Sequence, residues 1–209
     1  MATAQITPDN DVVLAEIFIA APPAHVFEAI TDPKQTAQWW GQKGMYRIIN
    51  AKADVRPGGK WLSEGVGDDG TKFTVEGEYL EIDAPRLLVQ TWIPSYAGMQ
   101  KTIVRWELEP RDVHGLQHQG PARVGTGTLV KIHHSGFAGN VQAAKGHSEG
   151  WKRVLGWVQM FVEQGKTVET RDREDRRGCG SEGQRVTAPG LNKVVECGSL
   201  AGGSVKFSM

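Results

Sequence analysis

From Tyr46 to Ser135 the chain passes through six strand-forming stretches with little between them, and that spacing limits the fold more than any other feature. They are YRIINAKADV, GKWLSEGV, TKFTVEGEYLEI, RLLVQTWI, KTIVRWELE and TGTLVKIHHS, rich in β-branched and aromatic residues and bounded by turn residues. Asp68-Asp69-Gly70 is a hairpin signal, and DAPRL makes another tight connection; only the stretch from Pro110 to Gly125 is long. Parallel neighbours need a crossover of about a dozen residues or more, so the sheet is expected to be antiparallel. Its two faces differ. Phe73, Val75 and Tyr79 alternate with Thr74, Glu76 and Glu78, and Val104, Trp106 and Leu108 alternate with Ile103, Arg105 and Glu107. One face therefore needs a cover.

Residues 140–165 supply it. At helical spacing Trp151, Val154, Leu155, Val158, Phe161 and Val162 form one stripe, continued backward by Ala144 and His147. Lys152, Arg153, Gln159, Glu163 and Gln164 fall opposite, and Trp157 sits on the shoulder of the stripe. At the other end, DVVLAEIFIAA reads as a further strand that Pro22-Pro23 must stop. PAHVFEAITD and KQTAQWW then read as two short helices, with Pro23 near the first start and Asp32-Pro33 between them. The expected fold is α+β: a seven-stranded curved antiparallel sheet, two short helices, and a long C-terminal helix across the concave face.

Composition sets bounds. With 24 basic and 24 acidic residues and a net charge of zero, no global field favours nucleic acid or an anionic membrane. No apolar run approaches the roughly 20 residues of a membrane span, and MATAQITPDN has no signal-peptide character. The expectation is a cytoplasmic protein. Both cysteines, Cys179 and Cys197, lie near the C-terminus, so no disulfide framework braces the core. Periodicity and all seven tryptophans are confined to residues 11–166, read as one domain. Residues 167–209 are charged or glycine-rich without a stripe, and are expected to be largely disordered.

The chemistry-bearing residues give a sparse picture. Trp61, Trp92 and Trp106 fall on strands, Trp151 on the long helix, and Trp39 and Trp40 at the end of the second short helix. Such rings either fill a core or line a rigid apolar pocket. Of the adjacent pair, one must point differently and can serve a partner surface. His134 follows Val130 and Ile132 by twos and is expected inside, where it can meet His147 of the helix stripe. That pair can carry protons or two ligands of a metal, but no third ligand stands at a convincing spacing, so no metal or cofactor is expected. His114 and His118 belong to a polar loop, and Arg105 and Glu107 to the solvated face.

APPAHVFEAITDPKQTAQWWG, the glycine-rich block VRPGGKWLSEGVGDDGTKFTVEGEYLEIDAPRLLVQTW, VKIHHSGF and SEGWKRVLGWVQMFVEQG, in that order, resemble bacterial homologues of the activator of heat-shock-protein-90 ATPase. That group belongs to the START/birch-pollen-allergen-like (SRPBCC) superfamily. The resemblance covers about residues 11–166 and implies a helix-grip fold with an apolar cavity between sheet and helix, where relatives bind lipids, sterols or other apolar ligands. It does not imply one chemistry. The leading expectation is binding of a small hydrophobic or aromatic ligand. Trp39, Trp61, Phe73, Trp92 and Val104 are expected to line the cavity, with Trp106, His134, Trp151, Leu155 and Val158. Two alternatives stand beside it. One is a chaperone partner, as the family name and its link to stress response suggest. The other is a cyclase- or aromatase-like enzyme with His134, His147 or Tyr79 moving protons. Ligand identity and oligomeric state, a homodimer included, are left open.

Overall fold

The computed structural model describes residues 1–113 and 125–175. Its strands are β1 (Thr3–Ile6), β2 (Val12–Ile19), β3 (Gly41–Gln42), β4 (Tyr46–Ala53), β5 (Lys60–Gly67), β6 (Lys72–Asp83), β7 (Leu87–Pro94), β8 (Thr102–Val113) and β9 (Gly125–Ser135). The helices are α1 (Pro23–Thr31), α2 (Pro33–Trp39), α3 (Val141–Gln164) and α4 (Val168–Asp175). One sheet holds all nine strands in the order β1-β2-β9-β8-β7-β6-β5-β4-β3, every neighbour antiparallel. Strands β3 to β9 therefore form a meander, and β2 closes onto the last of them. Helices α1 and α2 carry the chain from β2, next to one edge of this order, to β3 at the opposite edge.

The expected count of seven strands is corrected to nine. β1 has four residues with an exposed–half-buried alternation, too short to make a periodic signal, and β3 has two. A tight turn sets the first of them in register: Thr7 Oγ1 donates to Asp9 at 2.6 Å and accepts from the Val12 N–H at 3.0 Å.

Local chemistry fixes the helix ends. Pro22 and Pro23 open α1, where a missing N–H costs nothing. Asp32, held extended by the proline after it, ends α1 and caps α2 by accepting from the Lys34 N–H at 2.9 Å. Asn140 caps α3 through the Ala143 N–H at 3.0 Å, and Gly165 ends it in the left-handed conformation at φ 66°. Helix α3 buries Ala144, Ser148, Trp151, Val154, Leu155, Trp157 and Val158 against the sheet.

Alternation holds across the sheet. Val13, Ala15, Ile17 and Ile19 of β2 are buried with Val104, Trp106 and Leu108 of β8 and Val130, Ile132 and His134 of β9. Register shifts in β4–β5 and β6–β7 help the sheet bend around the helix. The outer face carries ion pairs such as Arg105–Glu107 at 2.6 Å, partly exposed and worth little to stability. Among the described residues no helix is long and apolar enough to cross a membrane. The segment expected to lack order begins with a helix, α4, while residues 176–209 lie outside the described residues, as do His114 and His118.

Candidate ligand site beneath the long helix

Trp39, Trp40, Trp61, Trp92, Trp106 and Trp151 form one continuous aromatic cluster between α3 and the sheet. Trp40 lies stacked between two others, its ring centre 5.1 Å from Trp39 and 5.6 Å from Trp92, at interplanar angles of 29° and 25°. Trp92 continues to Trp61 at 5.4 Å, and Trp151 meets Trp106 edge-on at 5.2 Å. Such offset and edge-on contacts add to what burial of the rings contributes. Trp39 is fully buried and donates its indole N–H to the Ala29 carbonyl at 2.8 Å, so α2 is pinned to α1. Trp40 does not turn outward to form a surface; it is half-buried within the stack.

His134 sits at the bottom of this cluster with no exposed surface. Its hydrogen bonds have only one consistent direction. Thr102 Oγ1 gives its single proton to the Trp92 carbonyl at 3.1 Å, so it must accept from His134 Nε2 at 2.7 Å. His134 Nδ1 then bears the lone pair that accepts from the Trp151 indole N–H at 3.0 Å. The chain Trp151 → His134 → Thr102 → Trp92 carbonyl fixes one neutral tautomer. Burial, followed by the charges His147 and His133 would carry, holds this imidazole well below its ordinary pKa.

His147 does meet it, ring centres 4.8 Å apart and planes at 89°. Its Nδ1 lies 2.9 Å from the Ala143 carbonyl, which can only accept, so Nδ1 carries the proton. Nε2 is left as a buried lone pair with no hydrogen bond among the described residues. Burial lowers this pKa too. Both nitrogens of His134 are committed, so the two rings are packed together rather than arranged to exchange a proton. Among the described residues no group of three or more His, Cys, Asp or Glu could hold a metal ion.

These two imidazoles set an acid limit. Each is neutral in the folded chain at a pKa held below 6.5 and regains about 6.5 on unfolding. The unfolded state therefore binds more protons between those values, so the stability they contribute is complete above about pH 6.5 and lost as pH falls toward the depressed values. The surface carboxylates Glu109 and Glu149, held below 4.5, act only in stronger acid. Urea unfolding at steps from about pH 7.5 to about pH 5 should show stability falling from about pH 6.5. A flat profile there would contradict neutral, buried histidines.

The other end of the cluster is a mouth built around Tyr46. Trp40 donates its N–H to the Tyr46 hydroxyl at 3.3 Å, and burial pushes that phenol up to about 12. Tyr46 meets Phe73 edge-on at 5.4 Å and Trp157 at 5.8 Å. Beside it a surface hollow of about 260 Å³ is bordered by Lys43, Arg47, Asp68, Val168 and Glu169. A larger hollow of about 610 Å³ lies on the outer sheet face, away from the tryptophans.

Trp61 lies over Gly77, whose missing side chain makes room for it: a Cβ there would stand 2.7 Å from the indole nitrogen. That buried N–H makes no hydrogen bond among the described residues. The Trp92 N–H faces the Tyr96 hydroxyl without reaching hydrogen-bond geometry.

Of the ten residues expected at the site, Trp39, Trp61, Trp92, Trp106, Trp151 and His134 come together in the cluster. Val104, Leu155 and Val158 are fully buried core. Phe73 is only partly buried, at the rim. The residues missed are Trp40 as a member of the stack, Tyr46, Thr102 and Arg171. Counting back by two from Val104 points to Thr102; nothing comparable points to Arg171.

Residues 20–117 match the family model described as Activator of Hsp90 ATPase homolog 1-like protein. No curated protein matches the chain in sequence. Several solved structures share the fold. A protein from Nitrosomonas europaea is 19% identical, with a TM-score of 0.58 over 77% of this chain and 98% of its own. One from Rhodobacter sphaeroides is 15% identical, with a TM-score of 0.60 over 78% and 98%. The solution structure of a protein like this family from Aeromonas hydrophila is 18% identical, with a TM-score of 0.54 over 73% and 93%.

Proposed function

We propose that this chain, a member of the activator of Hsp90 ATPase homolog 1-like family, binds a small flat aromatic molecule in the tryptophan cluster beneath α3. The observation that carries the reading is the stack itself: a planar ring, that of Trp40, held between Trp39 and Trp92. Stacking surfaces on both sides suit any flat ring of similar size. The Trp61 N–H, without a hydrogen bond among the described residues, adds chemistry to the shape. A buried donor without an acceptor costs about 1–3 kcal/mol, and a ligand bearing a carbonyl oxygen can satisfy it. A chaperone-binding role and a cyclase-like activity have no comparable feature in their favour, since the committed hydrogen bonds of His134 suit packing better than proton transfer.

Two probes test this, naphthalene and 2-acetonaphthone, the second adding one acceptor oxygen to the same ring system. Calorimetric titration should give saturable binding of both. Trp61→Phe should weaken the ketone by about tenfold, as expected for one lost hydrogen bond, and leave naphthalene nearly unchanged. No saturable binding of either probe sinks the reading. Native mass spectrometry of freshly purified protein would identify any retained ligand directly.

A further inference from the structure

The slot between Trp39 and Trp92 is occupied by a side chain of the protein itself, so a ligand must displace Trp40 to use it. Part of what holds Trp40 in place is local, its N–H donating to the Thr36 carbonyl at 3.0 Å and its carbonyl accepting from the Ile48 N–H at 3.3 Å, and part comes from a distant stretch of the sequence. Arg171 of α4 donates through Nη2 to the Trp39 carbonyl at 2.9 Å and to the Gly41 carbonyl, on either side of Trp40. The same guanidinium lies 5.3 Å from the centre of the Trp157 ring. One turn earlier, Val168 is 6% exposed, packed at the mouth beside Tyr46. Trp40 is the partly exposed member of the stack, and its own hydrogen bond to Tyr46 is long at 3.3 Å. Arg171 thus adds a long-range clamp to the local backbone hydrogen bonds at the corner that carries the displaceable ring.

We propose that α4 is a latch that locks Trp40 in the aromatic slot, so that admission of a flat aromatic ligand requires release of Arg171 from the Trp39 and Gly41 carbonyls. The proposal rests on the ligand reading above and extends it to how access is controlled. With the latch closed the slot is filled, so apparent affinity is reduced by the fraction of molecules that are open. Weakening the latch raises that fraction. A purely structural α4 behaves differently: losing its contacts lowers thermal stability without easing access.

The test uses the full-length chain, wild type, Arg171→Ala and Arg171→Lys, with 1-anilinonaphthalene-8-sulfonate as the probe. Stopped-flow fluorescence gives the association rate, and displacement by excess 2-acetonaphthone confines the signal to the slot. Arg171→Ala should raise the association rate and apparent affinity by on the order of tenfold. Arg171→Lys, which keeps the charge but not the planar fork, should fall between them. If the alanine variant fails to fold, the lysine variant alone decides. Equal rates in wild type and a folded variant overturn the latch but leave the ligand site standing. Displaceable binding absent from every protein overturns the ligand reading and the latch together.

Discussion

Trp151→Ala is expected to destabilise the fold by about 3–5 kcal/mol, against a total stability of about 5–15 kcal/mol for a domain of ordinary size. The residue is 3% exposed and touches rings from three directions: Trp106 at 5.2 Å, Trp92 at 6.0 Å and His134 at 5.9 Å. Truncation removes the largest side chain that α3 presses into the cluster and leaves a hole walled by rings already in contact elsewhere. It also strips His134 Nδ1 of its donor. Trp151→Phe separates the two losses. It keeps most of the packing and removes the hydrogen bond, for about 1–3 kcal/mol. The freed lone pair becomes available to a proton, which brings the folded-state pKa of His134 back toward 6.5, so this variant should lose less stability than the wild type as pH falls below about 6.5. Urea denaturation of both variants at two pH values measures all of this. A loss under about 1 kcal/mol for the alanine variant would mean that the cluster collapses to refill the hole.

Gly77→Ala carries the second large effect. A Cβ on Gly77 would lie 2.0 Å from the Thr91 carbonyl oxygen and 2.7 Å from the Trp61 indole nitrogen. The first contact is with backbone in the neighbouring strand, so β6 and β7 must part to accept a single methyl group. Overpacking usually costs about 1–3 kcal/mol, and here the upper end or beyond is expected because a strand rather than a side chain must yield. Gly65→Ala is the control. Its Cβ would meet the Phe73 ring at 2.2 Å, closer than is tolerable, but that ring lies at the rim and can swing aside. Thermal melts should show a much larger drop for Gly77→Ala. Equal drops would mean that the neighbouring strand gives way as readily as a rim side chain.

Much of the architecture could be read from residue order alone, and what could not has definite causes. The antiparallel meander follows from short connections, and the inward faces of β6, β8 and β9 from clean alternation. Strands β1 and β3 escape because four and two residues hold no period. Counting in twos places His134 inside, but its state depends on Thr102 and Trp92 carbonyl geometry that no spacing reveals. Trp40 turns inward because α2 ends at Trp39 and the chain bends into β3, which changes which way the ring projects. Helix α4 hides for a different reason. VETRDRED has no apolar stripe, and among the described residues the side chains that dock it, Val168 and Arg171, make no periodic signal.

The pairing of β2 with β9 has a further consequence. Val13 faces His134 across that ladder, so the first long strand has its inner neighbour only after nearly the whole domain has been synthesised. At about 5–20 residues per second on the ribosome, β2 spends seconds with a row of apolar side chains and one unsatisfied edge. Helix α3, which covers those side chains, is made later still. The seam between the first long strand and the last strand to be made is thus the last that can pair, and until then the nascent chain is most exposed to mispairing.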